Sequence, residues 1–492
     1  MATETEIKLS LSVSAANQLA QHPLLAGLER DRQLLVSTYY DTPDRRLRRE
    51  RIVVRYRQKG RLWLLAVKTA PLLAAGLAQR SEWEVPGQPG EFNFAHVDNN
   101  DVRDRLEALR EQLQPVFKTH FRRDLWLLER RPGVRIEVAL DRGWIDAQGR
   151  RLPIREVELE LLAGTVGDLF SAAIELQATL PLHPEVSSKS ERGYRLVDDV
   201  PLTAVKAPPV ATEAGMPTVT AFRLIALSCL NQLQSNEKGV CQSDEPEFVH
   251  QARVAIRRLR SAIRLWEPLL PESFVARFDP VWQELATKLG DTRNWEVFHA
   301  EIIPLLGESV PGVDLDRLSR YALRRVASSR RASRNALRSA DYSRLLIDFT
   351  AEILALPEGG TGHLASFVPR CLKKRARRVD ERAAGALGSD VAARHRLRVA
   401  CKQMRYALEF FAPILAGQEF TDYHQAATCL QEMLGRLNDL VVAGQLTAEA
   451  PLGGGKGSVI QDWLSAQSEA LLPEFRKLLA DFQHCQVPWQ AS

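Results

Sequence analysis

The sequence has little cysteine, no long apolar run and no strong excess of either charge. The six cysteines (Cys229, Cys241, Cys371, Cys401, Cys429, Cys485) all fall in the second half, and none stands in CxxC spacing. That excludes a zinc knuckle or a dithiol pair and reads as scattered reduced thiols. No stretch of about 18 apolar residues occurs, so no membrane-spanning helix is expected. The opening MATETEIKLS runs straight into charged alternation, with no basic segment followed by an apolar one. A secretory signal is therefore not expected, and a cytoplasmic protein is. The net charge of +5 is small against 66 basic and 61 acidic residues, so charge placement says more than the total. What remains is an ordinary globular composition, 45% apolar and 26% charged, over 492 residues. That length predicts two or three domains.

Residues 201–217 (PLTAVKAPPVATEAGMP) are rich in Pro and Ala, lack periodicity and read as a linker. Before them, short stretches alternate with period two, near 4–9, 52–58, 62–69, 80–85, 121–128, 134–141 and 155–162. These strands follow one another rather than alternating one-for-one with helices, which favours an antiparallel sheet or barrel over 1–200. After the linker the period is three to four, predicting an all-α domain over 218–492. The expected class is α+β.

Strand side chains alternate faces, so Glu4, Glu6 and Lys8 share one face and Ile7 and Leu9 the other. The same logic groups Arg55 with Arg57, Arg80 with Glu82 and Glu84, Glu137 with Asp141, and Glu156 with Glu158 and Glu160. A half-buried sheet with a solvated charged face would explain alternation alone. Repeated carboxylates in register, with helical segments available to cover the apolar face, point instead to a barrel lined by charge. Such a lining needs a ligand that compensates both signs, because unpaired buried charge is costly. A polyphosphate carrying a divalent metal meets that need: cations take the phosphate oxygens and carboxylates the metal.

Glu4-Thr5-Glu6-Ile7-Lys8 resembles the ExExK motif that opens the CYTH, or triphosphate tunnel metalloenzyme, superfamily. The order that follows strengthens it: Tyr39-Tyr40-Asp41-Thr42, Arg55-Tyr56-Arg57, Lys68, Arg80-Ser81-Glu82-Trp83-Glu84, Arg122, Glu137 to Asp141, Glu156 to Glu160 and Lys189-Ser190-Glu191-Arg192. The resemblance implies an eight-stranded antiparallel β-barrel tunnel over about 1–200. It implies Mg²⁺ or Mn²⁺ held by Glu4, Glu6, Glu158 and Glu160, with Asp141, Glu82, Glu84 and Glu137 as further candidates. Lys8, Arg55, Arg57, Lys68, Arg122 and Lys189 would clamp phosphate, with Glu4, Glu6 and Lys8 the candidate catalytic residues. Arg122 is preferred to Arg123 because Arg123 alternates with Phe121, Leu125 and Leu127.

The helical half contains a duplication. His250, Arg253, Arg257 and Arg260 recur as His395, Arg398, Lys402 and Arg405, and each copy is followed by a Leu-Gly step, Leu289-Gly290 and Leu434-Gly435. Spacing of i, i+3, i+7, i+10 stacks like charges on one helical stripe, which gains a bare helix nothing. A solvated basic face explains one stripe but not its recurrence at identical offsets. The pattern resembles the CHAD domain, a conserved-histidine α-helical domain often joined to CYTH and implicated in binding inorganic polyphosphate. A helical bundle bringing both stripes into one basic groove is expected. The pairing implies hydrolysis of inorganic triphosphate, with a nucleoside or thiamine triphosphatase and a non-catalytic polyphosphate scaffold as alternatives. Nucleic acid is disfavoured as a partner, since the stripes lack interleaved aromatics for stacking.

Overall fold

The computed structural model describes residues 2–69, 72–74, 76–310, 314–358, 362–388, 390–415, 417–452 and 456–489. Two compact units emerge. One comprises Met1–Thr203 together with Arg338–Ala355, the other Ala204–Leu337 and Leu356–Ser492. Residues 338–355, which the helical periodicity assigns to the second half, thus cluster with the first.

The first unit is built on β1 (Ala2–Leu11), β2 (Asp31–Asp41), β3 (Ile52–Lys59), β4 (Leu62–Thr69), β5 (Leu72–Ala74), β6 (Leu77–Pro86), β7 (Gln114–Arg131), β8 (Val134–Ala147), β9 (Arg150–Ala163) and β10 (Leu182–Pro184). The order β1-β9-β8-β7-β2-β3-β4-β6 closes through pairing of β6 with β1, giving an eight-stranded barrel with all described pairings antiparallel. The short β10 and β5 extend it at β1 and β6. Between β8 and β9, Gln148 (φ 53°) and Gly149 (φ 80°) form the two left-handed positions that a tight hairpin on a right-twisted sheet requires.

Helices cover the outside. Ile7, Leu9, Trp126, Val138 and Leu159 pack under α1 (Val13–Gln18) and α4 (Val166–Gln177). Val54, Tyr56, Leu65, Val67 and Trp83 pack under α3 (Asn100–Leu109). With α2 (Arg46–Arg49) and α5 (Lys189–Asp198) the N-terminal helices number five. Because the apolar faces meet helices, the charged faces turn inward.

The second unit runs α6 (Thr218–Gln242), α7 (Pro246–Trp266), α8 (Glu272–Val297), a π-helical turn (Phe298–Ile302), α9 (Ile303–Ser309) and α10 (Leu315–Leu337). After α11 (Ala340–Ala355) it resumes with α12 (Leu364–Ala386), α13 (Val391–Phe411), α14 (Gln418–Glu449) and α15 (Lys456–His484). Helix α11 belongs to the barrel unit: Ile347 is fully buried in the cluster of Leu169, Phe170 and Ala173, and Ser343 hydrogen-bonds His183 at 2.8 Å. Ile347→Asp would bury a carboxylate in that cluster and is expected to destabilise the barrel unit by more than about 3 kcal/mol. The check is a fall in its urea midpoint.

Candidate functional site: a charged tunnel and a cationic cavity

Ion pairs between strands that are not neighbours in the sheet mark the barrel interior. Lys68 on β4 reaches Glu4 on β1 (2.9 Å), and Arg123 on β7 reaches Glu158 on β9 (2.5 Å). Arg80 bridges Glu4 and Glu6, each at 2.8 Å, and Lys8 lies 3.6 Å from Glu6 and 3.5 Å from Glu158. Lys68 also meets Glu82 at 2.8 Å, and Arg55 lies 3.5 Å from it.

One end is closed by α5. Ser188 and Glu191 form a reciprocal capping box, Oγ accepting from the Glu191 N–H at 3.0 Å and Oε2 from the Ser188 N–H at 3.1 Å. That fixes Lys189 in the first turn. Lys189 Nζ meets Asp141 (2.7 Å), Glu158 (2.9 Å) and Glu156, while Arg192 binds Glu156 and Arg123 grips Asp141 through two 2.7 Å hydrogen bonds. Burial opposes the charge on Lys189, but Asp141, Glu156 and Glu158 outweigh it and raise its pKa. Asp141, Glu156 and Glu158 lie close enough to hold a metal ion, yet the protein already supplies their counter-charges.

The middle of the tunnel is less balanced. Strand register sets Glu6, Glu160 and Glu137 side by side across β1, β9 and β8. Burial, with Glu4 and Glu137 nearby, pushes Glu160 up to about 7, and burial raises Glu137 as well. Neither forms an ion pair among the described residues. On β3 the imbalance is reversed. Arg55 Nε and Arg57 Nε are buried and make no hydrogen bond, and burial together with Arg55 and Arg123 lowers Arg57 to about 10. A carboxylate row lacking cations and an arginine wall lacking oxygens is a lining suited to a metal-bound anion.

In the second unit, α7, α8, α13 and α14 enclose a cavity of about 290 Å³. His250, Arg253 and Arg257 enter from one repeat, and Arg398, Lys402 and Arg405 from the other. Burial lowers Arg253 and Arg398 to about 10, in each case helped by Arg257. Burial, then Arg257, Arg398 and Arg253, push Lys402 down to about 4. Asp439 is the acid among them, and burial raises its pKa.

Family models match both units: residues 2–194 fit the CYTH domain and residues 224–448 the CHAD domain. The chain carries a CYTH domain and a CHAD domain. An inorganic triphosphatase of Haemophilus influenzae is 34% identical over 198 residues, covering 40% of this chain and 55% of that protein. The chain thus spans about half the length of that curated relative. An uncharacterized protein of Mycobacterium tuberculosis is 26% identical over 442 residues, 84% of this chain and 81% of its own. The crystal structure of the CHAD domain from the plant Ricinus communis superposes with a TM-score of 0.52 at 31% identity, covering 56% of this chain and 96% of that one.

Within the CYTH domain the expected tunnel residues Glu4, Glu6, Lys8, Arg55, Arg57, Lys68, Asp141, Glu158, Glu160 and Lys189 all project inward. Arg122 does not. It is half exposed and pairs with Asp124 at 3.8 Å, whereas Arg123 points inside. The apolar residues flanking Arg123 mislead because β7 is buried on both faces: Phe121 contributes to the interior beside Lys189 Nζ, 5.1 Å from its ring centre. Arg123→Ala is expected to cost about 3 kcal/mol of stability by uncovering Asp141, and Arg122→Ala less than about 0.5. Thermal unfolding of both variants separates them. Arg80, Glu156 and Arg192 were not singled out; strand parity exposes the first two, while Arg192 needs the packing of α5.

In the CHAD domain, Arg260 and His395 depart from the expected stripes. Arg260 turns to Asp279 (2.8 Å) and Gln283 (2.9 Å), and His395 is exposed on α13. The other six stripe residues share the cavity.

Proposed function

We propose that the CYTH domain hydrolyses inorganic triphosphate with a divalent metal, and that the CHAD cavity binds inorganic polyphosphate. The observation that carries the first reading is the opposition of the Glu6–Glu160–Glu137 row to the arginine wall of Arg55 and Arg57. Glu4, Glu6 and Glu160, with Glu137 beside them, would hold Mg²⁺ or Mn²⁺, and these donors are all carboxylates, which suit either ion. When bound, the metal would activate water and offset phosphate charge. Arg55 and Arg57 offer the unused N–H groups that fit phosphate oxygens, and their low-dielectric setting strengthens each contact. Lys8, Lys68 and Lys189 add positive charge along the path, and Arg123 holds Asp141 and Glu158 in place. Glu158 and Asp141 then serve the cations at the α5 end more than a metal.

Trp83 and Trp126 are buried in the outer cores, which removes two of the aromatics that could read a base. Tripolyphosphate is therefore the expected substrate. Released phosphate measured side by side from tripolyphosphate, ATP and thiamine triphosphate, with and without Mg²⁺, should give the highest kcat/KM for tripolyphosphate and almost none without metal. An equal or higher value for ATP would sink this choice, and metal-independent turnover would sink the site.

The polyphosphate reading rests on a cavity that holds more cation than the protein neutralises. The six cysteines are free, and no helix among the described residues is long and apolar enough to cross a membrane. Both features suit the cytoplasm.

A further inference from the structure

The CHAD cavity is not uniformly cationic. Arg253, Arg257, Arg398 and Lys402 crowd one part of it, while Val297, Phe298, Ile302, Val442, Ala443 and Leu446 line another. Phe298, Ile302, Ala443 and Leu446 belong to a single hydrophobic cluster, so the apolar lining is one continuous patch and not scattered side chains. A π-helical turn, Phe298–Ile302, places Phe298, Glu301 and Ile302 in that wall. π turns are rare and concentrate at functional sites. Inorganic polyphosphate has no use for such a wall: it is charged along its whole length and would leave the apolar surface wet.

We propose that this cavity binds a nucleotide, with the phosphates at the arginine and lysine end and the nucleoside against the apolar wall. The proposal rests on the reading that the cations take phosphate, and adds the chemistry of what the phosphate is attached to. The volume, about 290 Å³, sits at the small end of ligand pockets (about 300–1,000 Å³), enough for a nucleotide but not for a long polymer. Asn294 supplies an amide donor and acceptor, and Glu301 a carboxylate, on the same wall. A base edge matches these groups, whereas a plain alkyl phosphate would leave them unpaired.

The test uses the full chain carrying Arg55→Ala and Arg57→Ala, which weakens the tunnel's hold on phosphate. Calorimetric titration with ADP and with pyrophosphate compares the same phosphate count with and without a nucleoside. ADP is expected to bind about 10-fold more tightly or better. Val297→Gln with Val442→Gln, both half-buried positions, should bring ADP down to the pyrophosphate level while pyrophosphate changes less than about 2-fold. Equal affinity of the two ligands, ADP binding untouched by the valine changes, or tighter binding of an alkyl diphosphate than of ADP would each overturn the nucleotide assignment. If Arg253→Ala with Arg398→Ala left pyrophosphate affinity unchanged, the underlying phosphate reading would fail instead.

Discussion

Glu6→Gln is expected to lower tripolyphosphate turnover at least ~100-fold, the scale of losing one contact made directly to the reacting group. Glu6 sits beside Glu160 in the sheet register and shares Arg80 with Glu4. The amide keeps the shape and can still meet Arg80, so the barrel should survive. What is lost is one negative charge from the row that would hold the metal. The drop should therefore appear in kcat and in the metal concentration needed for half-activity, with the thermal midpoint little changed. Normal turnover in a folded variant would remove Glu6 from the site.

Arg253→Ala combined with Arg398→Ala is expected to weaken polyphosphate binding by about 100-fold or more, from two hydrogen bonds to charged groups of about 1.5–3 kcal/mol each. The slope of log K against log salt should flatten, since two fewer phosphate contacts release fewer counterions. Lys402 adds a sharper signature. Burial and its arginine neighbours hold it at about 4, so in the free domain it is neutral at pH 7. A bound polyanion reverses the local field and restores the ammonium, so binding should take up about one proton and strengthen as pH falls toward neutrality. Titration calorimetry in buffers of different ionisation enthalpy measures that proton. Arg260→Ala is the control: paired with Asp279 outside the cavity, it should change affinity less than about 2-fold. Loss of affinity only in the control variant would place the groove elsewhere.

Both results bear on how far local pattern reaches. Period-two alternation labelled the faces of β1, β3, β6, β8 and β9 correctly because each strand has one apolar and one charged face, and that contrast needs no knowledge of neighbours. The duplicated stripe was equally legible, since i, i+3 and i+7 positions share a helix face by geometry alone. Where a strand is buried on both sides the contrast vanishes, and the choice between the adjacent Arg122 and Arg123 was lost with it. A stripe from i to i+10 is about 15 Å long, more than one small cavity can face. Each copy therefore drops one end, Arg260 from the first and His395 from the second.

By itself the sequence determined the α+β class, the two families, the linker and most of the charged lining, because these follow from spacing within single elements. Tertiary structure alone decided the rest: the row of Glu6, Glu160 and Glu137, the unmatched N–H groups on Arg55 and Arg57, the apolar wall of the cavity and the place of α11 in the barrel unit. Those features depend on which residues, far apart in the chain, are brought within a few ångströms, and no local periodicity encodes that.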